Sequence, residues 1–449
     1  MIGASLSRWT MSYFAAALLA LVAAEIMMIA GYGFPGAPVA APETLILVHV
    51  VVIGWLSMLM CGALLQFVPV LVATPLYSNT LSLPALVSLV AGLGALILGF
   101  LQLDGRVASP LPFLPIAAVL LIAGFALILW NLGRTLAAAS AVALPARFVV
   151  VGLASIACTV ALGAIFAFVL GGAIGAGPLV ALTAAGLPIH VVAGLGGWLT
   201  FTAMGVSYRL LAMFMLAPEL EGASTRIALY LGAAALAVAI AGGTAMVLTG
   251  HGPAPALLAA LALALPALAL YGKDALHLYR ARRRPVIELN SRMAAVALLG
   301  FAASAVLVVV LLALGQLGER IGAVIFLTVF GWLSGLGLAQ LYKIVAFLTW
   351  LECYGPVLGK APTPRVQDLV VERHARPWFT LYFVAVGGGT VALLADVPIG
   401  FRLAAVVLLA ATAGIVGQLI RTRRLVEVDA AGRFPQGARR PRLLLSCEG

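Results

Sequence analysis

The sequence Gly54-Trp55-Leu56-Ser57 recurs as Gly197-Trp198-Leu199-Thr200 and again as Gly331-Trp332-Leu333-Ser334. The three copies are spaced at nearly even intervals along the 449 residues. A small residue follows each Trp at the seventh position, and a polar residue follows at the eleventh, namely Gln66, Arg209 and Lys343. A repeat of this kind indicates that one structural unit occurs three times, so it decides the fold before any local pattern does.

The composition is that of a membrane protein. Hydrophobic residues make up 64% of the chain and charged residues 9%, whereas soluble proteins carry about 25% charged residues. Apolar runs long enough to cross a bilayer core follow one another from end to end. We therefore predict an all-α polytopic membrane protein with about twelve transmembrane helices, near residues 12–32, 43–74, 82–103, 112–134, 146–172, 185–216, 225–249, 254–280, 290–315, 318–354, 375–396 and 400–424.

The repeat falls in the second, sixth and tenth predicted spans, which are also expected to be the longest. This placement predicts three pseudo-equivalent four-helix units within a single transmembrane domain, residues 1–424. The units would cover approximately 12–134, 146–280 and 290–424, followed by a basic tail at 425–449. We expect the second, sixth and tenth helices to be related by a pseudo-threefold axis normal to the membrane.

Lys and Arg are distributed unevenly among the predicted loops. The net charge is +11, and the basic residues cluster in the loops after even-numbered spans and in the tail. By the positive-inside rule, this asymmetry predicts that both termini are cytoplasmic. We expect a multi-pass protein of the bacterial inner membrane, with lipid rather than nucleic acid around it. The basic tail is interpreted as an orientation signal, with contact to anionic lipid as the alternative.

Two histidines precede the first two tryptophans of the repeat. His49 lies six residues before Trp55, and His190 lies eight residues before Trp198. Because polar groups are expensive in hydrocarbon, such residues usually face a cavity, a partner or a cofactor. A neutral imidazole is a common axial ligand of haem iron. We therefore predict that both histidines bind iron, while a histidine hydrogen-bonded to a neighbouring helix remains the alternative.

Small and aromatic residues beside these histidines would complete a cofactor pocket. Glycine at this density permits close approach of another helix or of a flat macrocycle. The predicted haem-binding set therefore adds Gly54, Trp55, Gly197 and Trp198 to the histidines. It also includes Glu25, a carboxyl in the first span that could pair with a histidine, relay protons or hold a proton in a hydrogen bond. His251, in an outer loop between glycines, is a further metal-ligand candidate or a merely exposed residue.

Twelve predicted helices in three units, with histidines on the second and sixth, resemble subunit I of the haem–copper oxidase superfamily. That superfamily includes the cbb3-type oxidases and the nitric oxide reductases. The stretches 197–214 and 342–350 are similar to a branch of bacterial oxidase-subunit-I-like proteins. The resemblance implies that His49 stands where the family has a low-spin haem ligand. It also implies that His190 stands where the family has a copper ligand.

Departures from that family pattern decide the expected function. The family has histidines on its seventh and tenth helices, whereas spans 225–249 and 318–354 contain none. The resemblance therefore implies a b-type haemoprotein without a complete haem–copper centre, for electron transfer or for binding haem or a diatomic gas. We expect no oxygen reduction by the family mechanism, so the chain would be at most a degenerate oxidoreductase. Copper is doubtful, and a quinone or a cytochrome is the expected redox partner.

Two other classes of function remain alternatives. One is a multi-span transporter, although major-facilitator carriers divide into two halves of six helices rather than three units. The other is a metal-free assembly partner of a respiratory oxidase. Glycine-rich stretches such as 387–389 permit close contact between protomers, and we expect a homo-oligomer.

Overall fold

The computed structural model describes residues 7–445, and within that range the chain is helical and contains no strand. Twelve helices, numbered α1 to α12 here, are long and apolar enough to span a membrane, which confirms the predicted number. They are Thr10–Ala30, Pro42–Leu71, Ser82–Leu103, Phe113–Ala137, Leu144–Leu170, Leu187–Met215, Ala223–Leu248, Ala254–Arg280, Leu289–Ala313, Leu317–Val357, Glu372–Leu394 and Pro398–Arg423. The protein is therefore a multi-pass membrane protein, and α2, α6 and α10 are its longest helices, as predicted.

The helices group into two compact units. The first comprises the chain up to Gln66 together with the chain from Ile287 onward, and the second is Phe67–Val286. The first unit therefore contains α1, most of α2, and α9 to α12. The second contains the end of α2 and α3 to α8. The repeat predicts three four-helix units related by a pseudo-threefold axis. This symmetry stays a prediction.

In the first unit, α1 packs against α2 and α12, while α10 packs against α9, α11 and α12. Small residues permit these close approaches. A methyl group at Gly62 would lie 2.6 Å from Cβ of Tyr13, so α2 and α1 touch backbone to side chain at that point. A glycine at this position is thus required by helix packing.

In the second unit, α5 packs against α4 and α6, and α7 packs against α8. Gly205 is the counterpart of Gly62 in the second copy of the repeat, and a methyl group there would lie 2.6 Å from Cβ of Phe148. The seventh position of the repeat therefore has the same role twice. It lets the repeat-bearing helix approach the helix that precedes it in the chain.

The predicted basic tail folds back onto the first unit. Leu425 and Val428 join Cys353, Val357 and Leu369 in a buried apolar cluster at the end of α10. The Tyr354 hydroxyl donates a hydrogen bond to the carbonyl oxygen of Arg433, over 3.0 Å. The described part of the tail, to residue 445, is therefore a packed segment as well as a source of positive charge.

Candidate functional site

Each copy of the repeat lies in a π-helical segment of its transmembrane helix. These segments are Val50–Ser57 in α2, Val192–Phe201 in α6 and Leu327–Ser334 in α10. In a π-helix each backbone N–H bonds the carbonyl five residues earlier, rather than four as in an α-helix. The Gly335 N–H, for example, bonds the carbonyl of Phe330. Such segments are rare and often occur at functional sites. The repeat therefore marks a backbone irregularity that was not predicted from the sequence.

The tryptophan of one copy is hydrogen-bonded to the serine of another. Nε1 of Trp55 donates to the hydroxyl of Ser334 over 2.8 Å, and both residues are buried. The Ser334 hydroxyl in turn bonds the Tyr382 hydroxyl, which donates to the carbonyl of Phe330 over 3.0 Å. A chain of polar groups therefore links α2, α10 and α11 within the first unit. Trp55 is part of this network, whereas its predicted contact with a cofactor stays a prediction.

Glu25 lies beside this network on α1. Its side chain is fully buried, and Oε1 accepts a hydrogen bond from the Thr412 hydroxyl over 2.6 Å. The carboxyl and the Tyr382 phenol lie close enough to interact electrostatically. Oε2 has no hydrogen-bond partner within residues 7–445. Glu25 therefore has one satisfied oxygen and one that can take a proton or a further donor.

His49 ends the α-helical first part of α2, immediately before the π-helical segment. Its ring is half-buried, and Nδ1 lies 2.7 Å from the carbonyl oxygen of Leu45, one helical turn earlier. A carbonyl oxygen only accepts hydrogen bonds, so Nδ1 carries the proton and the lone pair lies on Nε2. Metal-binding histidines are usually held in this way, with the other ring nitrogen donating to a carbonyl or a carboxylate.

His190 occupies the corresponding place before the π-helical segment of α6, in the second unit. Its ring contacts Phe166, with the ring centroids 5.6 Å apart. A methyl group at Gly163 would lie 3.1 Å from Cε1 of the imidazole. The glycine on α5 therefore makes room for this ring. The predicted role of His190 as an iron ligand stays a prediction.

The other predicted pocket residues have clear packing roles. A methyl group at Gly197 would lie 2.4 Å from the Ser155 hydroxyl, so this glycine brings α6 against α5. Trp198 is buried within α6, and Gly54 is buried within α2. His251 is exposed, and its Nδ1 lies 3.3 Å from the Thr249 hydroxyl. Among residues 7–445, no group of three or more His, Cys, Asp or Glu side chains is placed to hold a metal ion.

A second buried carboxyl, that of Asp274, was not predicted from the sequence. Asp274, on α8, accepts hydrogen bonds from the hydroxyls of Ser224 at 2.6 Å, Thr225 at 2.7 Å and Tyr208 at 3.0 Å. Ser207 and Tyr271 form a further buried pair beside it, with their hydroxyls 2.6 Å apart. A lone acidic residue in an apolar span was the available signal, because such residues are seldom placed in a membrane without a partner.

The polar residues at the eleventh position of the repeat bind partners at helix ends. Oε1 of Gln66 accepts from the backbone N–H of Ser7, just before α1. Nζ of Lys343 lies 2.6 Å from the carboxylate of Glu288, just before α9. Arg209 instead pairs with Glu219, after α6. Gln66 and Lys343 therefore bind groups just before helix starts, and Arg209 binds a group in the loop after its own helix.

Comparison of the chain with models of known protein families and with curated protein sequences finds no match. The resemblance to subunit I of the haem–copper oxidases therefore stays a prediction that rests on the sequence alone.

Proposed function

We propose that this multi-pass membrane protein is a b-type haemoprotein of the bacterial inner membrane, with both termini cytoplasmic, that transfers electrons or binds a diatomic gas. The observation that carries the proposal is the hydrogen bond from Nδ1 of His49 to the Leu45 carbonyl. It selects the tautomer whose Nε2 lone pair can bind iron. It also holds the ring against its own helix, as expected of an axial ligand.

The residues present fit a haem in their donor chemistry. His49 and His190 would each serve as a ligand of iron. Trp55 and Trp198 are rigid, buried side chains on the same helices. When bound, the haem would supply the one-electron chemistry or the gas-binding centre, whereas the protein supplies position, a dry surrounding and charge balance.

Glu25 has a defined part in this proposal. It shares the first unit with His49, and its Oε2 atom can gain or lose a proton while Oε1 keeps the Thr412 bond. Tyr382, Ser334 and Trp55 form a hydrogen-bonded chain in the same unit. Uptake of a proton at Oε2 would offset an added negative charge inside the membrane, where an uncompensated charge is costly.

The sequence argues against oxygen reduction by the mechanism of the resembled family. Neither α7, Ala223–Leu248, nor α10, Leu317–Val357, contains a histidine. The histidines that hold copper in the resembled family therefore have no counterpart on those helices. Electron transfer or gas binding requires only an iron with suitable axial ligands, so the proposed function matches the donors that are present.

The optical spectrum of the purified protein tests the proposal. We expect a Soret band that His49→Ala removes or shifts, while the variant remains in the membrane. His190→Ala is likewise expected to reduce the haem content or to shift the band. His277→Ala is the matched control, because His277 is exposed at the end of α8. Absence of haem from the wild-type protein, or full haem content in both variants, would refute the proposed ligands.

A further inference from the structure

Within the first unit, a groove lies between the N-terminal ends of α9 and α11, where both helices carry arginines. It has a volume of about 530 Å³ and is open to the surroundings. At one end it is lined by Arg292, Glu372, Arg373 and Arg376, and further along it is lined by Pro377, Thr380, Leu381 and Val384. The groove therefore changes from strongly polar to apolar along its length.

The charges at the polar end do not cancel. The Glu372 carboxylate is already used, because it bonds the Arg292 guanidinium at 2.7 Å and the backbone N–H of Leu289 at 2.7 Å. Arg373 and Arg376 are exposed, and neither forms an ion pair with any residue in the range 7–445. Two positive charges are thus available at this end of the groove.

The apolar part continues along the same face of α11. Arg376, Thr380 and Val384 follow one another at intervals of four residues, and such residues lie on one helix face. From Arg373 to Val384 the helix rises by about 16 Å, which takes the groove from the helix end well into the apolar span. Val384 is 64% exposed, so this part presents an uncovered hydrocarbon surface.

We propose that this groove binds one anionic phospholipid, with its phosphate at Arg373 and Arg376 and an acyl chain along Leu381 and Val384. The chemistry of the groove matches both parts of such a molecule in the correct order. Arginine suits phosphate because its planar donors can bond two oxygens at once. Basic pockets between transmembrane helices on the cytoplasmic side are known to suit anionic head groups, and the positive-inside rule predicts that side for these helix ends.

The proposal is tested by lipid binding to the purified full-length protein. Cardiolipin or phosphatidylglycerol is added to the protein in detergent, and the bound lipid is counted by native mass spectrometry. The double variant R373Q/R376Q is compared with R282Q/R283Q, which removes the same charge from exposed positions outside the groove. We expect the groove variant to bind anionic lipid about thirtyfold more weakly, or about 2 kcal/mol, and the control to bind it normally.

Further arms separate a phospholipid site in the groove from general attraction between a basic protein and anions. Phosphatidylcholine should bind weakly to all three proteins, and inorganic phosphate should not displace bound lipid, because it lacks the acyl chain. Val384→Asp should weaken lipid binding while leaving both arginines in place, and it keeps the test valid if R373Q/R376Q fails to fold. Equal loss in both arginine variants, or no loss in either, would overturn the proposal. Displacement by inorganic phosphate, or capture of an acidic protein in place of lipid, would overturn it as well.

Discussion

Two buried carboxyls of the membrane-spanning helices, Asp274 in the second unit and Glu25 in the first, are held in different ways. Asp274 accepts hydrogen bonds from three hydroxyls, those of Tyr208, Ser224 and Thr225. Glu25 accepts one, from Thr412, and its second oxygen has no partner among residues 7–445. Both side chains are removed from solvent. The local environment therefore assigns them different tasks although their chemistry is the same.

A fully bonded carboxylate is an anchor. The donors on Asp274 belong to α6 and to the start of α7, so one side chain on α8 ties three helices together. Changing its protonation would disturb all three bonds. A carboxyl with one unused oxygen can change its state while keeping its single bond, which is the property that a proton-holding group needs. The comparison thus supports a structural role for Asp274 and a functional one for Glu25.

The largest effect is expected for Asp274→Ala. Three hydroxyls, two of them buried, would lose their acceptor. Hydrogen bonds to a charged group contribute about 1.5–3 kcal/mol each, although such losses do not add fully. We expect the free energy of unfolding to fall by about 3 kcal/mol or more, seen as a lower thermal midpoint in detergent. Glu221→Ala, at an exposed position in the same unit, is the control and should have little effect. A midpoint unchanged by Asp274→Ala would refute the anchor role.

The isosteric pair Asp274→Asn and Glu25→Gln separates the two carboxyls more sharply. An amide replaces one acceptor oxygen by a donor, which is unfavourable beside three hydroxyls that already donate. We expect Asp274→Asn to lower the free energy of unfolding by about 1–2 kcal/mol. Glu25→Gln can keep the Thr412 bond, so its effect on stability should be below about 1 kcal/mol.

A functional measurement completes that comparison. If Glu25 holds a proton in the proposed haemoprotein, Glu25→Gln should change the pH dependence of the haem midpoint potential, while Asp274→Asn should not. Redox titration of both variants at several pH values measures this difference. Equal stability losses in the two variants, or an unchanged pH dependence in both, would contradict the division of roles.

Much of the fold could be predicted from the sequence, because the bilayer restricts it. Apolar runs of sufficient length gave the number of helices, and α2, α6 and α10 were identified as the longest. The repeat gave the matched residues Gly62 and Gly205, whose equivalent packing the structure shows. These features depend on composition and spacing along one chain segment, so they are visible without knowledge of the partners.

The candidate site was less predictable, because it depends on which side chains meet. The bonds from Trp55 to Ser334 and from Thr412 to Glu25 join residues 279 and 387 positions apart. No spacing rule connects such residues. Asp274 was overlooked because its donors are ordinary hydroxyl residues that carry no motif. The π-helical segments were also missed, since they are short insertions within longer α-helices and too few residues follow the changed period to reveal it.

A moderate effect is expected for Ser334→Ala, which tests how far the polar chain beside Glu25 extends. The substitution leaves the buried indole N–H of Trp55 without its acceptor and takes a partner from Tyr382. Loss of one partner of a buried bond costs about 1–3 kcal/mol, so we expect the lower part of that range. A double-mutant cycle with Tyr382→Phe should show coupling between the two sites. Additive effects would mean that Ser334 and Tyr382 act separately.

The smallest effect is expected for a third carboxyl, Asp368, which lies outside the membrane-spanning helices and extends the comparison to the surface. The Arg365 guanidinium hydrogen-bonds this carboxyl and holds its pKa below the usual value. Since the folded pKa is the lower one, the pair stabilises the fold above about pH 4 and this contribution is lost as the pH falls through the folded pKa. The pair is exposed, so Asp368→Asn should lower the unfolding midpoint by about 1 °C or less near neutral pH. The difference from wild type should vanish in acid, and high salt should reduce it. A large, salt-independent loss would show that Asp368 is held like Asp274, and that burial does not decide which carboxyls anchor this protein.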